Sequence, residues 1–176
     1  MNDFALKLWW LWVEPRLGVK GMIPIPQWFL NVYSKYPMQY RIMKYCMVLE
    51  GEKVYRHVPQ EVGCANAVTG ILEMVDPSFF GSDNTEDRID STIKLNAEMF
   101  SSDRFIKLNN PINGSVVINP TEGTNIGHCG IYVNGWIYNN NSKTGEWLPS
   151  YTWEEWVEYF EDTKKLQTRI YFPLAN

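Results

Sequence analysis

Cys64 and His128 are the two residues whose types and surroundings could carry out nucleophilic chemistry. Cys64 opens an apolar run, residues 65–75, in which valine, isoleucine and leucine recur at helical spacing, so we predict that its thiol lies in the first turn of a helix. The unpaired N–H groups and the helix dipole at that end stabilise a thiolate, the nucleophilic form of cysteine. A histidine that faces this thiol could serve as its base.

His128 begins a segment that the sequence predicts to be a β-strand. The Asn134–Gly135 pair that follows is a strong signal for a two-residue hairpin turn, with a second strand over residues 136–140. Each residue taken alone has a simpler interpretation, because a cysteine that heads an apolar helix is often a small buried hydrophobe. Periodicity alone leaves the two interpretations equally open, and it is the combination of motifs that favours the nucleophile.

Three motifs along the chain resemble those of the NlpC-type and CHAP-type cysteine peptidases and amidases. They are GCANAV at residues 63–68, NGSVVINPT at residues 113–121 and GHCGI at residues 127–131. The NNSKTG segment at residues 140–145 is similar to one that follows the histidine hairpin in phage-encoded and bacterial members. The resemblance covers residues 58–174.

This resemblance implies a role for each matching residue. Cys64 takes the place of the nucleophile, His128 that of the general base, and Asn139 that of the polar group that orients the imidazole. Asn140 is the second candidate for the third role, because a one-residue slip in the hairpin moves a side chain to the other face. The backbone N–H of Cys64 would help to hold the oxyanion. The expected reaction is hydrolysis of peptide or amide bonds in bacterial peptidoglycan, as by a phage lysin or a tail-associated hydrolase.

Two departures from the family pattern keep other functions open. Many relatives have aspartate where this chain has Gly63, and glycine–aspartate where it has Gly114–Ser115. One alternative is a structural or binding protein, of a virion for example, that keeps the fold without catalysis. A weaker alternative is an acyltransferase, in which another acceptor replaces water in attacking the covalent intermediate.

Along the chain, the elements that position these residues are predicted to be a series of helices followed by a series of strands. This order indicates an α+β fold. The family resemblance implies a papain-like core. A helix with an apolar face of Ile89, Ile93, Ala97 and Phe100 and a capping box at residues 152–155 are further predictions. The other predicted helices cover residues 28–36 and 38–49, and the other predicted strands cover residues 105–108, 115–119, 130–133 and 169–172.

The N-terminal part is predicted to precede the peptidase domain without forming a separate folded domain, and the family resemblance implies that it packs behind the catalytic helix. We divide the chain into a helical segment or arm, residues 1–51, with room for an accessory module, and a papain-like domain, residues 52–176. The tryptophan-rich residues 3–13 are too short to span a membrane and lack the features of a signal peptide. We expect them to pack against the protein itself or against a protein partner, and an interfacial helix is the alternative. We expect synthesis in the cytoplasm and action at the bacterial cell wall or within a virion.

Composition narrows the partners and cofactors. A net charge of -4 gives no basic surface for a nucleic-acid backbone, so nucleic acid is not expected to bind. The chain has three cysteines in no disulfide framework, and with its two histidines they do not form a zinc spacing, so no metal or other cofactor is expected. Cys129, beside His128, is predicted to point away from the catalytic face into the core.

Overall fold

The computed structural model describes residues 37–80 and 88–175, which form an α+β fold around a six-stranded antiparallel sheet. Its helices are α1 Pro37–Val48, α2 Gly63–Val75, α3 Thr92–Ser101 and α4 Trp153–Val157; a 3-10 turn, Gln60–Val62, precedes α2, and a π-helical turn, Glu158–Thr163, continues α4. Its strands are β1 Phe105–Leu108, β2 Val116–Asn119, β3 His128–Val133, β4 Trp136–Asn140, β5 Trp147–Thr152 and β6 Arg169–Pro173. The predicted α+β class is therefore confirmed.

The sheet has the order β1-β6-β2-β3-β4-β5, with every neighbouring pair antiparallel. The β3–β4 hairpin closes through Asn134 and Gly135, whose φ angles of 51° and 91° are the positive values that a type I′ turn requires. Val133 pairs with Trp136 on either side of this turn. The predicted hairpin is confirmed, and it fixes the register of the strands that carry His128 and Asn139.

Apolar side chains and helices cover both faces of the sheet, as the alternating directions of the β2 side chains show. Val116 and Ile118 belong to the larger apolar cluster, which α1, α2 and α3 share. Val117, between them, belongs to a second cluster on the opposite face, with Trp156 of α4 and Phe160 of the π-helical turn. Successive strand residues point to opposite faces, so each helical layer packs against its own set of strand residues.

The apolar face predicted for α3 is wrong. Ile93 and Phe100 are 53% and 72% exposed, and the side that faces the core carries Thr92, Leu95, Asn96 and Met99. Two of these four are polar and hydrogen-bonded: the hydroxyl of Thr92 pairs with that of Thr121 at 3.2 Å, and Asn96 accepts a bond from the hydroxyl of Tyr171 at 3.0 Å. Polar side chains with buried partners can occupy a core face, and a hydrophobic pattern does not reveal them.

The sequence also did not predict β5. It contains Pro149 and Ser150, which interrupt the pattern of a strand, and it lies at the edge of the sheet, where a proline costs no ladder bond on its open side.

The capping box at the start of α4 is confirmed: Glu155 N–H donates to Thr152 Oγ1, and Thr152 N–H donates to Glu155 Oε2.

The helix predicted at residues 38–49 is present as α1, and its Met38, Ile42 and Cys46 lie in the same apolar cluster as α2. The helix predicted at residues 28–36 and the tryptophan-rich residues 3–13 lie outside the described residues. None of the helices in the described ranges is long and apolar enough to cross a membrane.

Candidate active site

Helix α2 places Cys64 at the edge of the main core. Gly63–Leu72 and Val75 are buried, because the helix is packed on several sides by α1, α3 and the sheet, and a helix that is apolar nearly all round is stable only in such a place. Cys64 is the second residue of α2 and is 7% exposed. The N-cap residue of α2, Val62, makes no side-chain hydrogen bond to the N–H groups of the first turn. The predicted position of the thiol in the first helical turn is confirmed.

The chain approaches Cys64 through a tight junction. A Cβ atom on Gly63 would lie 2.9 Å from Cγ of Tyr55 and 3.1 Å from Nδ2 of Asn140. Asn140 Nδ2 donates to the carbonyl of Gln60 at 2.9 Å, and Gln60 Nε2 donates to the carbonyl of Lys143 at 2.8 Å. A side chain at the position before the nucleophile would therefore displace Tyr55 or Asn140, and glycine avoids this.

His128, at the start of β3, is joined to Asn139 of the neighbouring strand β4. The His128 Nε2 and Asn139 Oδ1 atoms lie 3.1 Å apart, and Asn139 Nδ2 donates to the carbonyl of Ile137 at 3.2 Å. The second bond orients the amide so that its oxygen faces the ring, where it accepts from the Nε2 proton. Gly130 permits this approach of the strands, since a Cβ there would lie 2.5 Å from the carbonyl oxygen of Tyr138.

The two asparagines proposed as the residue that orients the imidazole occupy different positions. Asn139 contacts His128, whereas Asn140 holds the loop before α2. Both side chains are buried, with Asn139 2% and Asn140 1% exposed. The structure thus brings His128 and Asn139 together at the start of α2, and it gives Asn140 a separate, supporting position.

Two aromatic side chains pack against the imidazole ring of His128. The ring of His128 stacks against Trp156 at 5.8 Å and against Phe160 at 5.7 Å between centroids. Trp156 is itself fixed, because its Nε1 donates to Asn119 Oδ1 at 2.7 Å. Sequence reasoning placed Trp156 and Phe160 on one side of a helix but did not place them beside His128; their helical spacing behind the capping box was the available signal.

Charge and hydrogen bonding in the site favour a thiolate opposite an imidazolium. A hydrogen bond from the thiol of Cys129 lowers the pKa of Cys64 well below its ordinary value; burial opposes this, and the charge of His128 lowers the pKa further. Burial lowers the pKa of His128, but the charge of Cys64 and hydrogen bonds to Cys64 and Asn139 outweigh it, so the net pKa of His128 is raised. Each group thus stabilises the charged form of the other.

The prediction that Cys129 points away from the catalytic residues is wrong, although its burial in the core is confirmed. Cys129 is fully buried in the cluster that contains Cys64, and burial together with the neighbouring Cys64 raises the pKa of Cys129 well above its ordinary value. The reason is that α2 packs on the β3 face that carries Cys129, while His128 packs toward α4 on the other face. Cys64 meets both residues at the beginning of the strand.

The geometry can therefore hold a charged cysteine–histidine pair with an amide that orients the ring. Within the described ranges, no group of three or more histidine, cysteine, aspartate or glutamate residues is arranged to hold a metal ion. No model of a known protein family matches the chain, and no curated protein matches its sequence.

Proposed function

We propose that this protein is a cysteine peptidase or amidase in which Cys64 is the nucleophile, His128 the general base and Asn139 the residue that orients the imidazole. The observation that carries the proposal is the 3.1 Å contact between His128 Nε2 and Asn139 Oδ1, next to a cysteine at the start of a buried helix. This contact leaves Nδ1 of the ring as the nitrogen that exchanges a proton with the thiol.

The reaction follows from these positions. The Cys64 thiolate attacks the carbonyl carbon of an amide, and the oxyanion is held by N–H groups at the start of α2. The His128 imidazolium then gives its proton to the departing amine, which leaves a thioester on Cys64. A water molecule, deprotonated by His128, attacks the thioester and restores the Cys64 thiolate and the His128 imidazolium; the carboxylic acid product loses its proton to solvent.

We further propose that the substrate is a peptide or amide bond of bacterial peptidoglycan and that the enzyme is of the phage lysin or tail-associated type. The support is the resemblance of the GCANAV, NGSVVINPT and GHCGI motifs to those of NlpC-type and CHAP-type hydrolases, together with a helix-start cysteine packed on an antiparallel sheet. The same support makes a papain-like core and action at the bacterial cell wall part of the proposal.

Digestion of purified cell wall by the wild type and by Cys64→Ala tests this function. New amino groups and new reducing ends are followed together, so that amide cleavage is distinguished from cleavage of the glycan. We expect amino groups to appear with the wild type and to be absent with Cys64→Ala. Release of amino groups by both proteins would contradict the assigned nucleophile, and no release from walls of several types would contradict the substrate.

One observation favours a second candidate, a binding protein that keeps the fold without catalysis: Cys64 is only 7% exposed. Treatment of the folded protein with iodoacetamide, followed by peptide mapping, separates the two. Selective labelling of Cys64 supports the enzyme. An inert Cys64 in a protein that still sediments with cell wall supports the binding protein.

A further inference from the structure

A cavity of about 320 Å³ has His128 among its lining residues. It lies between the β2–β3 loop, the β4–β5 loop and the π-helical turn that follows α4. This volume is at the lower end of the roughly 300–1,000 Å³ typical of ligand pockets, so it suits one or two residues of a substrate. The residues on which the argument depends are Ile126, His128, Ser142, Tyr151, Tyr159 and Lys164, and we call this cavity the His128 pocket.

The walls of the His128 pocket are aromatic and apolar. Tyr151 and Tyr159 stack with their centroids 6.1 Å apart, and Ile126 stands opposite in the β2–β3 loop with 70% of its surface exposed. Exposed aromatic and aliphatic side chains around a concave site supply contact area for a bound group at little cost in side-chain entropy.

The pocket has one lysine and no carboxylate among its described lining residues. Lys164 lines it, with its Nζ atom 5.7 Å from the centroid of the Tyr159 ring, and none of the described aspartates or glutamates lines it. The nearby carboxylates have other partners: Glu155 Oε2 accepts from Thr152 N–H, and Glu161 Oε1 accepts from Thr168 N–H. Lys164 has no carboxylate within ion-pair distance in the described part of the chain.

Both backbone polar groups of Lys164 are hydrogen-bonded, so the position of its Cα atom is fixed. Its N–H donates to the carbonyl of Tyr159 at 3.0 Å, and its carbonyl accepts from Asn125 Nδ2 at 3.0 Å. The second bond also ties the π-helical turn to the loop that contributes Ile126. Lys164 therefore lies on a part of the pocket wall whose backbone is fixed by hydrogen bonds.

The position of His128 identifies which part of a substrate this pocket receives. The imidazolium must reach the nitrogen of the departing amine, so the atoms attached to that nitrogen lie on the His128 side of the scissile bond. The His128 pocket is lined by His128 and not by Cys64, so it is a place where these atoms can lie. The acyl part stays bonded to Cys64 and lies toward the start of α2.

We propose that the His128 pocket binds the leaving-group part of the substrate, that this part carries a carboxylate, and that Lys164 is the residue that selects it. The side chain of the leaving residue packs against Tyr151 and Tyr159. This inference rests on the proposed amide hydrolysis, and it names the substrate class as amides whose released amine is an amino acid or peptide with a free carboxylate near the cut bond.

The released product should bind without any reaction, so the test does not depend on turnover. Phenylalanine and phenylalaninamide, each as both enantiomers, are titrated into the protein, and binding is followed by the NMR signals of the His128 ring. We expect phenylalanine of at least one hand to shift these signals and to bind about tenfold more tightly than its amide, as one charge-assisted contact allows.

Lys164→Gln is expected to abolish this preference for the carboxylate. Lys165→Gln, next to it in sequence, is the matched control, because it removes the same charge from an exposed residue that does not line the pocket. Equal affinity for acid and amide, an equal effect of both substitutions, or no perturbation of His128 by either ligand would overturn the inference.

The two claims fail in different ways. Carboxylate-selective binding at His128 without any Cys64-dependent release of amino groups would retain the pocket and refute the hydrolase. Cys64-dependent release without carboxylate selectivity would retain the hydrolase and refute the pocket.

Discussion

The imidazole of His128 is held by four neighbours through three kinds of interaction. Asn139 Oδ1 accepts a hydrogen bond from its Nε2–H, Trp156 and Phe160 cover one face, and Cys64 supplies the opposite charge. An oriented ring with one nitrogen committed to an amide presents the other nitrogen to the thiol. The alternative Asn140 could not be separated from Asn139 by sequence, because the two candidates differ only by one step of strand register.

Asn139→Ala is expected to lower the pKa of His128. The amide oxygen of Asn139 is one of the groups that raise this pKa, so its removal makes the imidazolium lose its proton at lower pH. NMR titration of the ring measures the change directly, and the chain has only two histidines to assign. Asn140→Ala is the control, since its bond goes to Gln60, and an equal shift in both variants would contradict the assignment.

Because an Asn139→Ala enzyme also loses the orientation of its base, we expect its kcat/KM on cell wall to fall by about 10²-fold, within the range that a positioned acid–base group supplies. Activity of the wild type should rise with pH as Cys64 ionises and fall as His128 deprotonates. The falling limb should move to lower pH in Asn139→Ala.

Cys129→Ala is expected to raise the pKa of Cys64, because the thiol of Cys129 is the largest cause of its lowering. The rate at which iodoacetamide alkylates Cys64 should then reach its half-maximum at higher pH. Cys129→Ser keeps a donor and should retain most of the lowering. Cys46→Ala, which removes a buried thiol elsewhere in the core, should leave the profile of Cys64 unchanged.

At the scale of elements, the sequence predicted the nucleophile helix, the β3–β4 hairpin and the capping box of α4, because each has a strong local signal: helical periodicity, an Asn–Gly turn and a Thr-x-x-Glu motif. It did not predict β5 or the buried face of α3. These depend on non-local partners, namely the pairing with β4 and the hydrogen bonds of Thr92 and Asn96 across the fold.

The attachment of α4 to the sheet is tested by Trp156→Phe. This substitution keeps an aromatic ring but removes the N–H that donates to the buried Asn119 Oδ1. An unsatisfied buried acceptor costs about 1–3 kcal/mol, so urea denaturation should show a loss of that size in the free energy of unfolding. Trp153→Phe, at a partly exposed position of the same helix, should change it by less than about 0.5 kcal/mol. Equal losses would show that the bond to Asn119 contributes nothing.

At the scale of the whole molecule, α1 and α2 share one apolar cluster with the sheet, so residues 37–48 are packed with the candidate site. The division at residue 51 stays a prediction for residues 1–36, which lie outside the described residues. A boundary is hard to place from sequence because an amphipathic helix looks the same whether it packs on its own unit or on the next one.

Ile42→Ala tests this packing. Ile42 is fully buried in the main cluster, so its truncation should lower the free energy of unfolding by about 2–5 kcal/mol in one transition that also exposes the buried Cys129 thiol to alkylation. Arg41→Ala, at the exposed neighbouring position, is the control and should cost less than about 0.5 kcal/mol. A separate early transition for α1, with the environment of Cys64 unchanged, would show that α1 is not part of the unit that holds the site.

The central claim is that Cys64 is a thiolate paired with the His128 imidazolium, and its most direct test is the pH dependence of Cys64 alkylation in the folded protein. The account predicts that iodoacetamide reacts with Cys64 at pH values well below the ordinary thiol pKa of about 8.5 and that His128→Ala moves the inflection to higher pH. An inflection at or above the ordinary value, unchanged in His128→Ala, would contradict it.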